Sequence, residues 1–588
     1  MKVPLFVSLR GYRTGWLRGD VLAGLTVWAV LVPESLAYAT IAGVSPVVGL
    51  YAAPAALILY AAFGSSRHLI AGPMAASAAL SAAAVAQFAT RGSGDFVALT
   101  VALALTTGIV AVIAGLLRLG FLASFISEPV LKGFIVGLAL TIIVGQLPKI
   151  FGIEGADGNF FEKLWGFVTG LGETDGWTLL VGLISLAIVV VLKRFAPVVP
   201  GSLVAVVFGI LIVTLLDMDR RGVEIVGNIN GGLPALGLPD VTLRDYLGLA
   251  PSAIGVALVG FAEGLGATKT YAAKNHYEVD ANRELLGLGA ANLGAGFSSG
   301  MVVNGSLSKT AVNGGAGART QLSGMVAAVL TVVTLLFLTG LFESLPEATL
   351  GAIVIAALIE LVDIPSLVGY YRVWTERLGS IYGAAARPDF LAALATLFGV
   401  LVFDTLPGLF IGIAVSLLLL LYRASRPNVA VLGRVPGARR HWGDIDRHPE
   451  NEVVPGIVVL RVESGLFFAN ADYVRDAVKA HSAAEGVRAV VLDAQTVPFV
   501  DLTASRMLDE LREDLYAQRI SLFLARDVGQ VRDMIRRSRP SGATGEDEVF
   551  ATVEEAVAAA SSLRSGSAQR SASLDSEVQH GDVQEEES

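Results

Sequence analysis

From Val21 to Tyr422 the chain is a succession of apolar segments separated by short polar turns. Many are near the ~20 residues that a helix needs to cross a bilayer. In lipid every backbone N–H and C=O must find a partner within the structure, so apolar runs of this length fold as helices. Fourteen segments can be counted, two of them too short to span alone. The first seven are Val21–Val44, Pro46–Phe63, Ala71–Gln87, Val97–Leu117, Val130–Leu147, Trp177–Leu192 and Val199–Leu216. The second seven are Pro251–Ala272, Leu285–Gly296, Gly305–Asn313, Leu322–Phe342, Pro346–Val362, Asp389–Phe403 and Leu406–Tyr422. Only 16% of the residues are charged, against about 25% in soluble domains. The chain is read as an α-helical polytopic membrane protein.

The basic residues orient it. With Arg10, Arg13 and Arg18 inside, Arg67, Arg118, Lys193, Arg194, Arg319 and Arg423 fall on the same side, as the positive-inside rule requires. Lys149, Lys163, Arg220 and Arg221 are the exceptions, in the two longer outer loops. Both termini are expected on the cytoplasmic side of the cell membrane, a bacterial plasma membrane, with lipid around the helices. No cleavable signal peptide is expected before the first segment.

The two sets of seven echo each other. Glu34-Ser-Leu-Ala resembles Glu263-Gly-Leu-Gly, and each set has a short third segment rich in small residues. Seven is odd, so the second set enters from the opposite side and the repeat is inverted. Paired short helices in inverted repeats are how secondary transporters form a site near the midplane.

Lys309 lies in the second of these short segments, after a stretch, Phe297 to Asn304, expected to be flexible. A charge at membrane depth costs roughly 2.5–3.5 kcal/mol unless it faces a partner or a wet cavity. Ser306, Ser308 and Thr310 surround it in sequence, and a helix starting near Ser308 adds unpaired N–H groups. Cation, hydroxyls and helix start together suit a small anion.

Arg423 to Ser588 reads as soluble protein. Val458–Val462, Ala489–Leu492 and Ile520–Leu524 have the pattern of buried strands separated by helices, a small α/β layer. The expected division is a cytoplasmic N-terminus (1–20), a membrane domain (21–422), a linker (423–452), an α/β domain (453–562) and an acidic, disordered tail (563–588). There is no Cys, and the six His are scattered, so no metal, cofactor or disulfide is expected. No nucleophile–base pair points to an enzyme, and no nucleic acid is expected as a partner.

Several motifs, in order, resemble one family. They are Val32-Pro-Glu-Ser-Leu-Ala-Tyr-Ala39, Gly64-Ser-Ser-Arg-His68 with Gly72-Pro73, Tyr277-Glu-Val-Asp-Ala-Asn-Arg-Glu-Leu285, and Ser308-Lys-Thr-Ala-Val-Asn313 with Gly317-Ala-Arg-Thr-Gln321. The chain is similar to the sulfate permease (SulP) anion transporters, relatives of the solute carrier 26 proteins, and its soluble part to a STAS domain. The resemblance implies a 7+7 inverted repeat divided into core and gate domains, a homodimer, and elevator-like alternating access. It carries the substrate site onto Glu34, Tyr38, Met74, Leu307, Ser308 and Lys309, beside Ser306 from the residues themselves. Glu34 stands where many members have Gln, and Lys309 where Arg is common, a point charge in place of a planar fork. Ala267, one turn after Glu263, argues against the family's sodium site. Leu502, after Asp501, removes the hydroxyl that some STAS domains phosphorylate.

The expected activity is secondary transport of inorganic anions, sulfate foremost, coupled to protons. A bicarbonate or dicarboxylate transporter, or an anion exchanger of the same family, is the alternative, and a nucleobase permease of this architecture the remote one. Glu34 and Glu263 are the candidates for the proton. A permanent Glu34–Lys309 ion pair is the competing reading of Glu34.

Overall fold

The computed structural model describes residues 5–562 apart from 91, 122–125, 197–198, 228, 230, 360, 373–386, 404, 439–440 and 539–548. The expected acidic tail lies outside the described residues. The chain divides into two units, a helical one reaching to Ser416 and a second one from Leu417 onward.

Each of the fourteen apolar segments carries a helix. The first seven are α1 (Leu17–Ile41), α2 (Pro46–Phe63), α3 (Ala75–Val85), α4 (Gly94–Leu116), α5 (Glu128–Phe151), then, after α6 (Phe160–Gly170), α7 (Gly176–Phe195) and α8 (Gly201–Leu216). The second seven are α9 (Leu243–Lys274), α10 (Ala281–Phe297), α11 (Leu307–Gly315), α12 (Leu322–Phe337), α13 (Glu347–Ile359), then, after α14 (Ile364–Arg372), α15 (Pro388–Phe403) and α16 (Thr405–Ser425). Helices α6 and α14 fall where the sequence reading has loops. Among the described residues, eight helical stretches are long and apolar enough to cross a membrane. The fourteen segments are therefore not fourteen full-length spans: α3 has 11 residues and α11 has 9.

The packing carries the internal repeat. Helix α1 packs on α12 and α4 on α9. Helix α4 packs on α10 and α2 on α12, and α2 meets α10. Replacing every segment by the one seven further on maps this set onto itself, α1·α12 becoming α9·α4 and α4·α10 becoming α12·α2. These six segments, with α3 and α11, form one bundle, while α13 packs on α5 and α7. The α4–α10 crossing is close because both sides are glycine. A Cβ on Gly108 would sit 2.9 Å from the Gly289 carbonyl, and one on Gly289 would sit 2.9 Å from that of Gly108.

Two buried carboxylates tie the bundle together. Glu284, fully buried at the start of α10, accepts from the Tyr60 hydroxyl at 2.7 Å, from Ser65 N at 2.8 Å and Oγ at 2.6 Å, from Ser66 N at 3.0 Å and from Thr268 Oγ1 at 3.2 Å. Asp20 accepts from Arg319 N at 2.6 Å, Thr320 N at 3.1 Å and Thr320 Oγ1 at 2.8 Å. A buried charge is tolerated only when it is satisfied in this way.

The second unit is a six-stranded sheet in the order β4-β3-β5-β6-β7-β8. Its strands are β3 (Val429–Arg434), β4 (Trp442–Asp444), β5 (Ile457–Val462), β6 (Ala489–Asp493), β7 (Ser521–Ala525) and β8 (Val549–Phe550). Strands β5 to β8 run parallel, and β3 is antiparallel to both of its neighbours. Helices α17 (Ala471–Ser482), α18 (Leu502–Ala517) and α19 (Gly529–Ser538) pack with the sheet, and residues 553–562 are also helical. Alternation along the strands fills two cores. Leu460, Val490 and Leu492 meet Val474 and Leu511 on one face, and Val459, Val491 and Phe523 meet Val553 and Val557 on the other. The expected linker, 423–452, is corrected here: β3 sits inside the sheet, paired residue for residue with β5 from Val429↔Val462 to Leu432↔Val459. Its short apolar run, Val-Ala-Val-Leu, is enclosed by basic and Pro-containing sequence that masks it.

Candidate functional site

The site is built on a three-residue ladder in the middle of the helical unit. Strand β1 (Ile70–Gly72) pairs antiparallel with β2 (Asn304–Ser306), Ile70 opposite Ser306 and Gly72 opposite Asn304. Each strand feeds a short helix, β1 into α3 and β2 into α11. Because the strands are antiparallel, the two helices leave the ladder in opposite directions. The segment before β2 is not the flexible stretch expected. Met301, Val302 and Val303 are buried, and Asn292 holds Val303 by both backbone groups, at 3.0 and 2.9 Å.

Helix α11 starts one residue earlier than expected. Ser306 is its N-cap, its hydroxyl accepting from Lys309 N at 3.2 Å, the preferred chemistry for orphan N–H groups. Thr310 Oγ1 donates to Ser306 O at 2.5 Å and accepts from Ile70 N at 3.1 Å. Asn313 donates to His68 O at 2.9 Å. The helix is therefore bolted to both strands of the ladder, which fixes the direction of Lys309.

The Lys309 side chain is 1% exposed and its ammonium has three neighbours from distant parts of the chain. Glu34 Oε2 lies at 2.8 Å. Nζ donates to the Pro73 carbonyl at 2.9 Å. The Tyr38 ring, one turn of α1 beyond Glu34, has its centroid 5.0 Å away, within cation–π range. Pro33, inside α1, has no N–H to give the helix and immediately precedes Glu34. The pair is electrically neutral as it stands. Burying two charges costs more than their attraction returns unless further hydrogen bonds help, and the Pro73 carbonyl supplies one.

The structure thus brings Glu34, Tyr38, Ser306 and Lys309 together. Met74 is the residue before α3, next to the Pro73 carbonyl, with its own carbonyl taken by Ala78 N at 2.9 Å. Leu307 and Ser308 are exposed, and Ser308 shares a cavity wall with Glu34. Glu263 stands apart from it. Its carboxylate accepts from Asn304 Nδ2 at 3.2 Å, at the other end of β2. Pro73 was missed, since a backbone carbonyl leaves no mark in residue type. Glu284 sits in a quoted motif without a role, its five donors being scattered over the sequence.

Two cavities flank the pair along α1. One, of about 120 Å³, is lined by Glu34, Ser308, Lys193 and Ser202 among others. The other, of about 970 Å³, starts at the C-terminal end of α1 with Thr40 and Ile41 and is lined further by Gln146, Lys149 and Lys163. Lys149 also pairs with Glu347 at 2.9 Å.

Comparison with known proteins agrees with this architecture. The sulfate permease family model matches residues 17–379, and the STAS domain model matches residues 448–556. A probable sulfate transporter of Mycobacterium tuberculosis is 39% identical over 559 residues, 95% of this chain and 97% of its own. High affinity sulfate transporter 1 of Stylosanthes hamata is 30% identical, covering 94% of this chain and 85% of its own. Among solved structures, murine solute carrier 26 family member A9, an anion transporter in the inward-facing state, superposes with a TM-score of 0.84 at 22% identity, over 94% of this chain and 93% of its own. The transmembrane domain of a cyanobacterium bicarbonate transporter superposes with a TM-score of 0.58 at 24% identity, over 68% of this chain and 98% of its own. With motifs, internal repeat and sheet all in place, the chain belongs to the sulfate permease family and is a multi-pass membrane protein ending in a STAS domain.

Proposed function

We propose that this protein is a secondary transporter of small inorganic anions, sulfate foremost, that couples import to protons. The observation that carries the reading is the ion pair of Lys309 and Glu34, buried between the two short helices of an inverted repeat. A lysine at such a depth needs a negative partner. Glu34 is that partner when no substrate is bound. A proton on Glu34 cancels its charge, and the ammonium is then available to an anion that the Ser306 and Ser308 hydroxyls and the first turn of α11 also suit. Anion and proton bind together, and neither binds well alone. The sulfate transporters among its relatives favour an oxyanion as the cargo.

Movement follows an elevator scheme in this reading. The bundle of α1–α4 and α9–α12 carries the site past α5, α7, α8, α13, α15 and α16, exposing it to one cavity and then to the other. Both termini lie on the cytoplasmic side, and the protein works as a homodimer whose STAS domains serve assembly and regulation. A second reading has the same observation in its favour. If Glu34 never leaves Lys309, the protein is an anion exchanger with no proton cycle.

Counterflow in proteoliposomes tests the cargo, with labelled sulfate, bicarbonate, a dicarboxylate and uracil as the panel. Sulfate exchange is expected, and exchange of uracil alone would overturn the reading.

A further inference from the structure

Helices α6 and α14 have no part in the site, and each bares one apolar edge. On α6 the exposed residues are Phe161, Trp165 (71% exposed) and Val168, and on α14 they are Ile364, Val368 and Tyr371. Both sets follow the spacing i, i+4, i+7, which is one stripe of a helix. The stripes also correspond in the internal repeat. Helix α6 follows α5 and α14 follows α13, and α13 is the segment seven on from α5. We propose that α6 and α14 are a matched pair of interfacial helices, one at each face of the bilayer, with these stripes set into the lipid just below the headgroups. The inference concerns the lipid contact of a membrane protein and does not depend on the cargo.

Their places on α5 favour lipid over any other occupant. Helix α6 packs on the C-terminal end of α5, where Phe167 meets Phe151 edge to face with centroids 5.0 Å apart. Helix α14 packs on the other end. Lys132 pairs with Asp363, the residue before α14, at 2.6 Å, and the Tyr370 hydroxyl donates to Glu128 at 3.4 Å. The two anchor points, Lys132 and Phe151, are 19 residues apart on α5, about 28 Å of helix. The hydrocarbon core of a bilayer is ~30 Å thick, so α6 and α14 meet α5 at its two boundaries. Each is set off from the helix before it, by the non-helical residues 153–158 and 361–363. The aromatic residues suit this depth, since Trp and Tyr collect at membrane boundaries, where an apolar ring and its polar group are both satisfied. Trp165 stands on one stripe and Tyr371 on the other, and exposed Trp177 opens α7, the membrane-length helix that follows α6. Arg372, exposed at the end of α14, suits anionic headgroups. Held at both ends, α5 cannot shift along the membrane normal without drawing one stripe into water and driving the other into the hydrocarbon.

The chain has no Cys, so single-Cys variants of the full-length protein take a nitroxide label at one chosen position. Trp165→Cys and Val368→Cys, labelled and reconstituted in liposomes, are compared with Glu173→Cys and Asp476→Cys, whose parent residues are exposed outside the membrane-length helices. Electron paramagnetic resonance reads collisions of the label with oxygen, which concentrates in lipid, against those with a water-soluble nickel chelate. Oxygen is expected to dominate at both stripe positions, at a depth of about 5–10 Å below the phosphates, and nickel at both references. If Val368→Cys fails to insert, Ile364→Cys takes its place. For α6 a label-free measurement serves as well. Bromine placed high on the acyl chains should quench the fluorescence of the wild type more than that of Trp165→Phe, and the excess should shrink when the bromine is moved to the chain ends. A stripe label that collides mainly with nickel shows a helix in water and overturns the inference. One shielded from both reagents shows a stripe covered by protein, a second copy included, and overturns it equally. Lipid contact at only one of the two helices overturns the matched pair.

Discussion

Nζ of Lys309 stands 2.8 Å from Oε2 of Glu34, with the two side chains 1% and 9% exposed. The two residues are 275 positions apart in the chain, Glu34 in the first helix of the first repeat and Lys309 in the short helix of the second. Their contact therefore joins the two halves of the fold at its centre. It also makes each residue's charge the other's main partner, and the expected outcomes below follow from that.

Removing one member strands the other. Lys309→Met leaves Glu34 buried without its cation, and breaking a buried pair in this way costs about 3–5 kcal/mol. The single variant is expected to insert but to unfold at a markedly lower temperature in detergent. Adding Glu34→Gln should recover much of the loss, because no buried charge then remains. Neither variant should bind sulfate with wild-type affinity in titration calorimetry. A double variant as unstable as the single one would show that the pair is not what couples these positions.

The N-cap of α11 separates stability from charge. Ser306→Ala removes the acceptor for Lys309 N and should cost about 1 kcal/mol, typical of a lost cap. Ser306→Asp keeps a cap but adds a negative charge beside the ammonium. It should hold stability and weaken anion binding. Thermal unfolding and sulfate titration of the two variants check this.

Glu284 is predicted to matter for folding alone. Its carboxylate is held by Tyr60, Ser65, Ser66 and Thr268. Glu284→Ala leaves several buried donors unpaired, at about 1–3 kcal/mol each. Yield and melting temperature should fall sharply, and the protein that does fold should keep its KM for the transported anion. A changed KM at normal stability would assign Glu284 a direct role.

The soluble unit needs β3. A fragment beginning at Val453 lacks the strand that covers β5 and leaves a long, apolar sheet edge open to association. One beginning at Pro427 retains it. Size-exclusion chromatography should give an aggregated or oligomeric first fragment and a compact second one. Equal behaviour of the two would remove the case for starting the domain at β3.

What could be read in the sequence depended on how much each feature stood out from its surroundings. Lys309 and Glu34 are charges in apolar sequence, so they stood out as a candidate pair, and the resemblance added Tyr38. The fourteen segments were legible because apolar length is a direct demand of the bilayer. The β1–β2 ladder and the Pro73 carbonyl were not, since backbone pairing of residues 70–72 with residues 304–306 leaves no trace in composition. Strand β3 was hidden by the basic stretch around it. Helices α6 and α14 were read as loops because their apolar residues recur on one side only, in segments too short to span. Glu284 lay in plain view within a motif, but its role depends on donors from three separate parts of the chain.

The central claim is that Glu34 carries the proton whose binding frees Lys309 for the anion. It is tested most directly by sulfate uptake into proteoliposomes under an inward proton gradient, comparing wild type with Glu34→Gln. The wild type is expected to accumulate sulfate against its gradient, faster as the outside is acidified. The variant, permanently neutral at this position, should lose gradient-driven accumulation and keep sulfate–sulfate exchange. If Glu34→Gln still accumulates sulfate with the wild-type pH dependence, the proton travels elsewhere, with Glu263 the next residue to test.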